Sequence, residues 1–375
     1  MAASAPLRLV RSLVFLVTFL AKVGILSPYW LLRAVLHRKS KGGPNVLQLY
    51  MDQVVKHALV GQAAYKVQAG PWTSAPWAWT DRLQGRQFAF VEPAKETFKD
   101  EKLPRRLDEV ERTRRSAGFW YLNPKERGDC PSRTKKARRS PCVLYCHGGA
   151  YITLAAGDAA MGGTLAANLS KCAEVDVFTL DYRLAPDSRF PSQVYEVLSA
   201  FRHLQSLGYD RIFLGGDSAG ANLVLAFWRY VDHILGERQS IAGLLLNSPW
   251  LDLAGYDTAA FQQAATRDLI ARYFVETGSK ALGIANLHDP FASPIVWSDA
   301  DLAALPSLYV IHGGDETLLD EGTRFVERAQ AQGIDVTHAV YDGYPHDFFS
   351  LPYYGGMSKR TFRAAKTWFH RAERA

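Results

Sequence analysis

The residues best suited to chemistry lie between Arg211 and Val231, in the stretch RIFLGGDSAGANLVLAFWRYV. A short apolar run leads into Gly216-Asp-Ser218-Ala-Gly220, and apolar residues at helical spacing follow, so the stretch predicts a strand, a tight turn and a helix. The two glycines let the backbone turn sharply enough to expose the serine hydroxyl on a strained corner. Ser218 is therefore a candidate nucleophile. A serine in an ordinary glycine turn has no catalytic role, so the assignment of Ser218 as a nucleophile depends on whether the sequence also supplies a base, an acid and oxyanion donors.

A candidate oxyanion site follows the predicted strand Cys142–Cys146, where the sequence reads His-Gly148-Gly149-Ala-Tyr. Adjacent glycines allow the backbone to aim its N–H groups at a small space, as the stabilisation of a tetrahedral oxyanion requires. We expect donors from Gly148 and Gly149, and a third from Ala219, directly after the nucleophile.

A general base and an orienting acid are expected in loops that follow late strands. His346, in the loop after the last predicted strand, is the preferred base. Asp315, in the loop before it, is the preferred acid. Asp320 is the alternative, although its position at a predicted helix start is also explained by an N-cap role. The order Ser218, Asp315, His346 is that of α/β-hydrolases.

The elements that must position these residues are eight predicted strands, alternating from the third onward with helical stretches. Such alternation predicts βαβ units and a mostly parallel sheet covered by helices on both faces, with the functional loops at the carboxyl ends of the strands. The predicted strands are Gln87–Val91, Ala117–Leu122, Cys142–Cys146, Val175–Leu180, Arg211–Leu214, Ile241–Asn247, Leu308–His312 and Val336–Tyr341.

Together these motifs resemble the hormone-sensitive-lipase-like branch of the α/β-hydrolases over roughly residues 140 to 370. The motifs, in the branch's order, are His147-Gly-Gly, Asp181-Tyr-Arg-Leu-Ala-Pro186, Phe190-Pro191, Gly216-Asp-Ser-Ala-Gly220, Ser248-Pro-Trp-Leu-Asp252, Asp315 and His346. The resemblance implies an α/β-hydrolase fold with an oxyanion hole from Gly148, Gly149 and Ala219, under a helical cap from about 45–80 and 253–297. The sequence departs from the branch's motifs in two places. No third glycine follows Gly149, and the acid loop is one residue longer than the usual Asp-x-Leu-x-Asp-Glu.

The N-terminus carries the chain's whole net charge of +7, and the remainder balances at 37 basic and 37 acidic residues, which argues against a nucleic-acid partner. Residues 7–36 are apolar with basic flanks, so residues 1–41 are predicted to be a membrane anchor or interfacial helix and 42–375 the catalytic domain. A spanning helix is preferred, in the endoplasmic reticulum membrane. A cleaved signal peptide is disfavoured, since no small-residue cleavage site closes the apolar stretch. The basic residues are Arg8, Arg11, Lys22, Arg33, Arg38, Lys39 and Lys41.

The predicted function is hydrolysis of a hydrophobic ester with a short or medium acyl group, through an acyl-enzyme on Ser218. A hydrophobic substrate, such as an acetylated sterol or secondary metabolite, is expected because Tyr353 and Tyr354 follow His346 closely and the N-terminus is apolar. The N-terminus is also similar to that of fungal members related to steryl acetyl hydrolase. No metal or organic cofactor is expected, and the four cysteines predict free thiols rather than a disulfide framework. An acyltransferase, a lactonase, an amidase and a receptor that has lost catalysis remain alternatives.

Overall fold

The computed structural model describes residues 5–38, 43–67, 85–96, 98–99, 101–125, 141–158 and 162–374. The predicted cap segment at 68–80 lies outside these residues. The structure is built on one sheet with the strand order β1-β2-β4-β3-β5-β6-β7-β8. The strands are β1 (Arg86–Val91), β2 (Ser116–Tyr121), β3 (Cys142–Cys146), β4 (Asp176–Asp181), β5 (Ile212–Asp217), β6 (Ile241–Asn247), β7 (Leu308–Gly313) and β8 (Val336–Tyr341).

The sheet confirms the prediction of eight mostly parallel strands. Only the pairings of β1 with β2 and of β2 with β4 are antiparallel. Every residue of β3, β5, β6 and β7 is buried. Central parallel strands covered on both faces read as continuous apolar runs, which is why these segments could be found by composition.

Eleven α-helices are present in the part of the chain that the structure describes. Two groups cover the sheet: α4 packs against α11, and α5 packs against α6. The helices are α1 (Ala5–His37), α2 (Val46–Tyr65), α3 (Glu109–Thr113), α4 (Gly162–Ala173), α5 (Ser192–Ser206), α6 (Ala219–Tyr230), α7 (Ala259–Ala264), α8 (Arg272–Ala281), α9 (Asp299–Ala303), α10 (Leu319–Ala331) and α11 (Gly355–Arg374).

Helix α1 packs lengthwise on α2. Near one end, the Phe15 ring lies 6.4 Å from that of Tyr65. Towards the other end, the Ser27 and Tyr50 hydroxyls are 2.9 Å apart and Trp30 is buried. One face of α1 is therefore covered by α2. Among the described helices, α1 alone is long and apolar enough to cross a membrane, with a mean hydropathy of 2.1.

Helix α2 connects α1 to the loops above the sheet. The Lys56 ammonium donates to the Ala265 and Asp268 carbonyl groups, in the segment after β6. The buried Asp52 carboxylate accepts the hydroxyls of Tyr353 and Tyr354 at 2.9 and 2.8 Å, in the loop that follows β8. Burial raises the pKa of Asp52 to about 7, although the two hydroxyls oppose this. The helix is thus joined to both segments that border the candidate site.

Candidate active site

Ser218 occupies a sharp turn between β5 and α6, with φ of 53° and ψ of −118°. This backbone conformation is strained for a residue with a side chain. The turn is possible because β5 and α6 approach closely: a Cβ on Gly220 would overlap the Cys146 carbonyl oxygen, and one on Gly216 would overlap Gly220. Each position can hold only glycine. The serine is mostly buried, with 8% of its surface exposed.

The loop after β3 lies directly over the serine. A Cβ on Gly148 would be 3.2 Å from the Ser218 Cβ. The backbone has positive φ at three successive residues, 100° at Gly149, 52° at Ala150 and 63° at Tyr151, so it turns tightly at this point. The Gly148 amide donates to Asp217 Oδ2 at 2.9 Å. The Gly148 amide, one of the three predicted oxyanion donors, is therefore already hydrogen-bonded to a carboxylate.

Ala219 is the first residue of α6. Because the first amides of a helix have no acceptor within the helix, its N–H is available to an anion, and the helix dipole favours negative charge there. Gly149 and Ala219 thus remain the candidate oxyanion donors.

The imidazole of His346 is buried between two carboxylates. Its Nδ1 is 3.9 Å from Glu316 Oε1, and its Nε2 is 3.1 Å from Asp347 Oδ2. Among the described residues, no hydrogen bond joins Ser218 Oγ to this ring. The predicted base therefore lies in an acidic environment in which both of its nitrogens face an oxygen.

The structure brings Glu316, rather than Asp315, to His346. The Asp315 carboxylate is 3.7 Å from the Arg267 guanidinium and lines a cavity with Arg33 of α1. Glu316 is fully buried, and its Oε2 accepts hydrogen bonds from Ser248 Oγ and the Gly313 amide, both at 2.7 Å.

The alternative acid, Asp320, lies in the first turn of α10 and pairs with Arg324 at 3.0 Å in a solvent-exposed position. It makes no capping hydrogen bond, so the N-cap interpretation of Asp320 is wrong.

The sequence contained a signal for Glu316. Glu316 lies four positions before Asp320, and Leu318 lies two positions after Glu316. Glu316-Thr-Leu-Leu-Asp-Glu thus fits the Asp-x-Leu-x-Asp-Glu pattern with glutamate in the first place. The acid loop has no extra residue in this register, and orienting acids of this fold are either aspartate or glutamate.

Burial and charge act in opposite directions on the buried groups. Burial lowers the pKa of His346, but the Asp347 and Glu316 carboxylates outweigh it and hold that pKa well above its usual value. Burial raises the pKa of Glu316 to about 7 against the opposing effect of His346. Burial and then Asp347 raise the pKa of Asp217 well above its ordinary range. An additional proton is therefore readily held within this cluster.

The described residues offer no metal site, since no group of three His, Cys, Asp or Glu side chains is arranged to hold an ion. Within the same part of the chain, Cys142, Cys146 and Cys172 are buried free thiols. Burial raises the pKa of Cys146 far above its usual value, so it is not a reactive thiolate.

Comparison with known proteins places these features in a family. A family model described as the alpha/beta hydrolase fold matches residues 143–350. Esterase LipU of Mycobacterium tuberculosis is 32% identical over 212 residues, which cover 55% of this chain and 69% of that protein. An acetyl-hydrolase of Streptomyces hygroscopicus is 30% identical over 223 residues, which cover 56% of this chain and 68% of that protein.

A solved structure agrees with the sequence matches. An esterase from the bacterial hormone-sensitive lipase family is similar with a TM-score of 0.60 and 26% identity, over 85% of this chain and 98% of that one. The resemblance derived from the motifs is confirmed.

The Asp347 carboxylate controls the protonation of His346. We expect Asp347→Asn to lower the pKa of His346, because the substitution removes the negative charge 3.1 Å from Nε2 while keeping the side-chain shape. An NMR titration of the imidazole, assigned against His346→Asn, measures the shift. An unchanged or raised pKa would show that Asp347 does not contact the ring in solution.

Proposed function

The chain belongs to the alpha/beta hydrolase family, and from that premise we propose that it hydrolyses carboxylic esters through an acyl-enzyme on Ser218. The observation that supports this proposal most directly is the strained turn at Ser218, beneath a glycine loop and at the start of a helix. That arrangement brings a hydroxyl, two free amides and a helix N-terminus to one place, as an acyl-transfer site requires.

In this mechanism Ser218 Oγ attacks the ester carbonyl, and the Gly149 and Ala219 amides stabilise the oxyanion. His346 Nε2 takes the serine proton, and Glu316 at Nδ1 orients the ring and stabilises the imidazolium. In the described arrangement a protonated Nε2 is held by Asp347. Loss of that proton removes the bond and frees Nε2 to accept from Ser218, so activity should rise with pH through the raised pKa of His346. The tetrahedral intermediate then collapses with cleavage of the ester C–O bond, and the alcohol leaves with the proton from His346 Nε2. Water, with His346 again as the base, hydrolyses the acyl-enzyme to the acid and free Ser218.

The proposed substrate is a hydrophobic ester with a short acyl group, such as an acetylated sterol or secondary metabolite. The acetyl-hydrolase relative supports a small acyl group, and the apolar α1 helix supports a hydrophobic alcohol moiety. Tyr353 and Tyr354, whose position beside the base also suggested a hydrophobic substrate, instead donate their hydroxyls to Asp52. They support the loop after His346, and the substrate proposal does not depend on them.

A panel of p-nitrophenyl esters from acetate to octanoate tests the proposed reaction. We expect turnover that is greatest for the short acyl chains, and we expect Ser218→Ala to lower kcat by about 10⁶, as loss of the serine does in subtilisin. The variant should keep the wild-type circular dichroism and melting temperature, because the hydroxyl contributes little packing. Ser218→Ala activity within tenfold of wild type would exclude this serine as the nucleophile.

The choice of orienting acid is tested by two amide substitutions that are matched in size. Glu316→Gln should lower kcat by about 10⁴, the effect of the equivalent change in serine proteases, because the amide no longer stabilises the imidazolium. Asp315→Asn should leave kcat within about threefold of wild type, since Arg267 and not His346 faces that carboxylate. Steady-state kinetics on the best ester of the panel measures both. The opposite ranking would return the role to Asp315.

The N-terminal helix is proposed to lie in the membrane interface. The exposed surface of the helix is mostly apolar, with Leu9, Leu16, Leu20, Ile25 and Leu36 between 48% and 77% exposed. Lys22 is an exposed cation near its middle. Seven basic residues and no acidic ones before Asp52 favour an anionic lipid surface.

An interfacial position agrees better with the packing than the spanning helix that the sequence favoured. Residues 5–14 precede the contact of Phe15 with α2 and extend about 15 Å. A bilayer core is about 30 Å thick. A spanning α1 would therefore carry Asp52, Lys56 and His57 of α2 into hydrocarbon, where ionisable side chains are costly.

Topology mapping decides between these two orientations. We expect an epitope at the N-terminus to be on the same side of the membrane as the catalytic domain, and the triple variant Leu20→Gln, Ile25→Gln, Leu32→Gln to move to the soluble fraction. The triple variant should keep its kcat on a soluble ester. Val110→Gln, at an apolar position that is 71% exposed on α3, is the matched control and should stay with the membrane. An epitope on the opposite side would establish a spanning helix, and organelle markers in the same fractionation test the endoplasmic reticulum.

A further inference from the structure

Glu316 has a second histidine on the side away from His346. His312, at the end of β7, is fully buried, and its Nε2 lies 3.8 Å from Glu316 Oε1. His346 Nδ1 lies 3.9 Å from the same oxygen. Both separations exceed hydrogen-bond length, and none of these three buried atoms makes a hydrogen bond within the described part of the chain, so the contacts are electrostatic. One carboxylate oxygen is thus faced by two imidazole nitrogens.

The outer nitrogen of His312 is also occupied. His312 Nδ1 is 3.0 Å from Nε2 of His338, a half-buried residue on β8. Between two imidazoles one nitrogen must donate and the other accept. The row His338, His312, Glu316, His346 therefore leads from near the protein surface to the proposed base.

The carboxylate of Glu316 determines the tautomer of His312 and so the direction of its hydrogen bond with His338. An ionised carboxylate only accepts, so His312 can face it favourably only through an Nε2–H. Neutral His312 then has an unprotonated Nδ1, which must accept from His338 Nε2–H. Burial, and then the His338 and His346 rings, keep the pKa of His312 well below its usual value, so this histidine stays neutral.

We propose that His312 is a positioning residue for the proposed esterase reaction: its Nε2–H faces, and stabilises electrostatically, the Glu316 oxygen that orients His346, and His338 fixes its tautomer. The expected effect of His312 on the catalytic rate rests on the proposed function. The expected effect of His312 on the protonation of His346 follows from the geometry alone.

The packing around His312 leaves room for the ring in this orientation only because α10 contributes Gly322. A Cβ at Gly322 would overlap His312 Nε2 and Cε1. The smallest substitution there, Gly322→Ala, would push the donor away from Glu316. This gives a second and independent way to disturb the contact without altering an ionisable group.

Removal of the donor should make His346 easier to protonate. With His346 neutral, Glu316 is a buried charge whose Oε2 is stabilised by Ser248 and Gly313 and whose Oε1 faces His312, whereas protonated His346 neutralises it. Loss of His312 therefore destabilises mainly the neutral-base state and raises the pKa of His346. The other ionisable groups that act on this cluster are Asp268 on Glu316, Asp347 and Asp217 beside His346, and Glu327 on His338.

The test compares His312→Leu with His312→Gln, whose side-chain amide can place an N–H near the position of Nε2. We expect the leucine variant to raise the pKa of His346, measured by imidazole NMR, by about one pH unit. The acidic limb of the kcat/KM profile should move upward by the same amount. We expect His312→Gln to keep the pKa of His346 and the acidic limb of the kcat/KM profile close to those of the wild type. Gly322→Ala should shift both quantities upward, as His312→Leu does.

Failure of the inference and failure of the proposed function give different results. If leucine and glutamine shift the pKa of His346 equally, or neither shifts it, His312 is not a donor to Glu316, whatever the catalytic rate. If the pKa shifts as expected but wild-type protein hydrolyses no ester, the positioning contact exists and the proposed function is wrong. The titration can be made in the Ser218→Ala background, so it needs no activity, and melting temperatures identify a variant that has lost its fold.

Discussion

The structure depends on the backbone hydrogen bonds that hold Ser218 in its strained conformation. The Ser218 amide donates to the Asn247 carbonyl at 2.9 Å, which ties the turn to β6. Its own carbonyl accepts from Asn222 at 3.1 Å and from Trp250 at 3.2 Å, so α6 and the loop after β6 fix the other side. A strained backbone persists only where its surroundings over-determine it. β6, α6 and the loop after β6 thus all hold Ser218 in place. The same arrangement brings Gly220 into close contact with β3.

The second constraint is electrostatic, because this turn brings several carboxyl groups to one imidazole. Asp217 precedes the nucleophile, Asp347 follows the base, and Glu316 lies at Nδ1. Three buried negative charges around one cation would be unfavourable. The pKa of Asp217, raised well above its ordinary range by burial and then by Asp347, indicates how the conflict is relieved, by retention of a proton on that carboxyl group. Glu316 and Asp347 then act as the two carboxylates that face the His346 ring.

The sequence predicted the fold in more detail than the site. All eight strands were found within about three residues of their observed ends, because buried strands and G-x-S-x-G both leave strong local patterns. The sequence favoured Asp315 as the acid, whereas the structure places Glu316 beside His346, since two adjacent carboxylates in a loop cannot be told apart until a side chain is seen to face the ring. The engagement of the Gly148 amide by Asp217 could not be predicted either, because these residues are distant along the chain and meet only through packing. The position of His312 against Glu316 could not be predicted for the same reason, because the contact is formed by packing.

The N-terminal helix shows a different limit, because both of its faces are apolar. Trp30 and Ala34 are buried on α2, whereas Ile25 and Leu36 are exposed, and no difference in residue type separates the two sets. Removal of residues 1–40 would therefore do more than detach a membrane anchor. It would uncover the α2 surface beneath Trp30, and α2 holds the loop after His346 through Asp52. Substitution of the exposed side chains leaves that contact in place, so it can separate attachment to a lipid surface from support of the proposed catalytic loop.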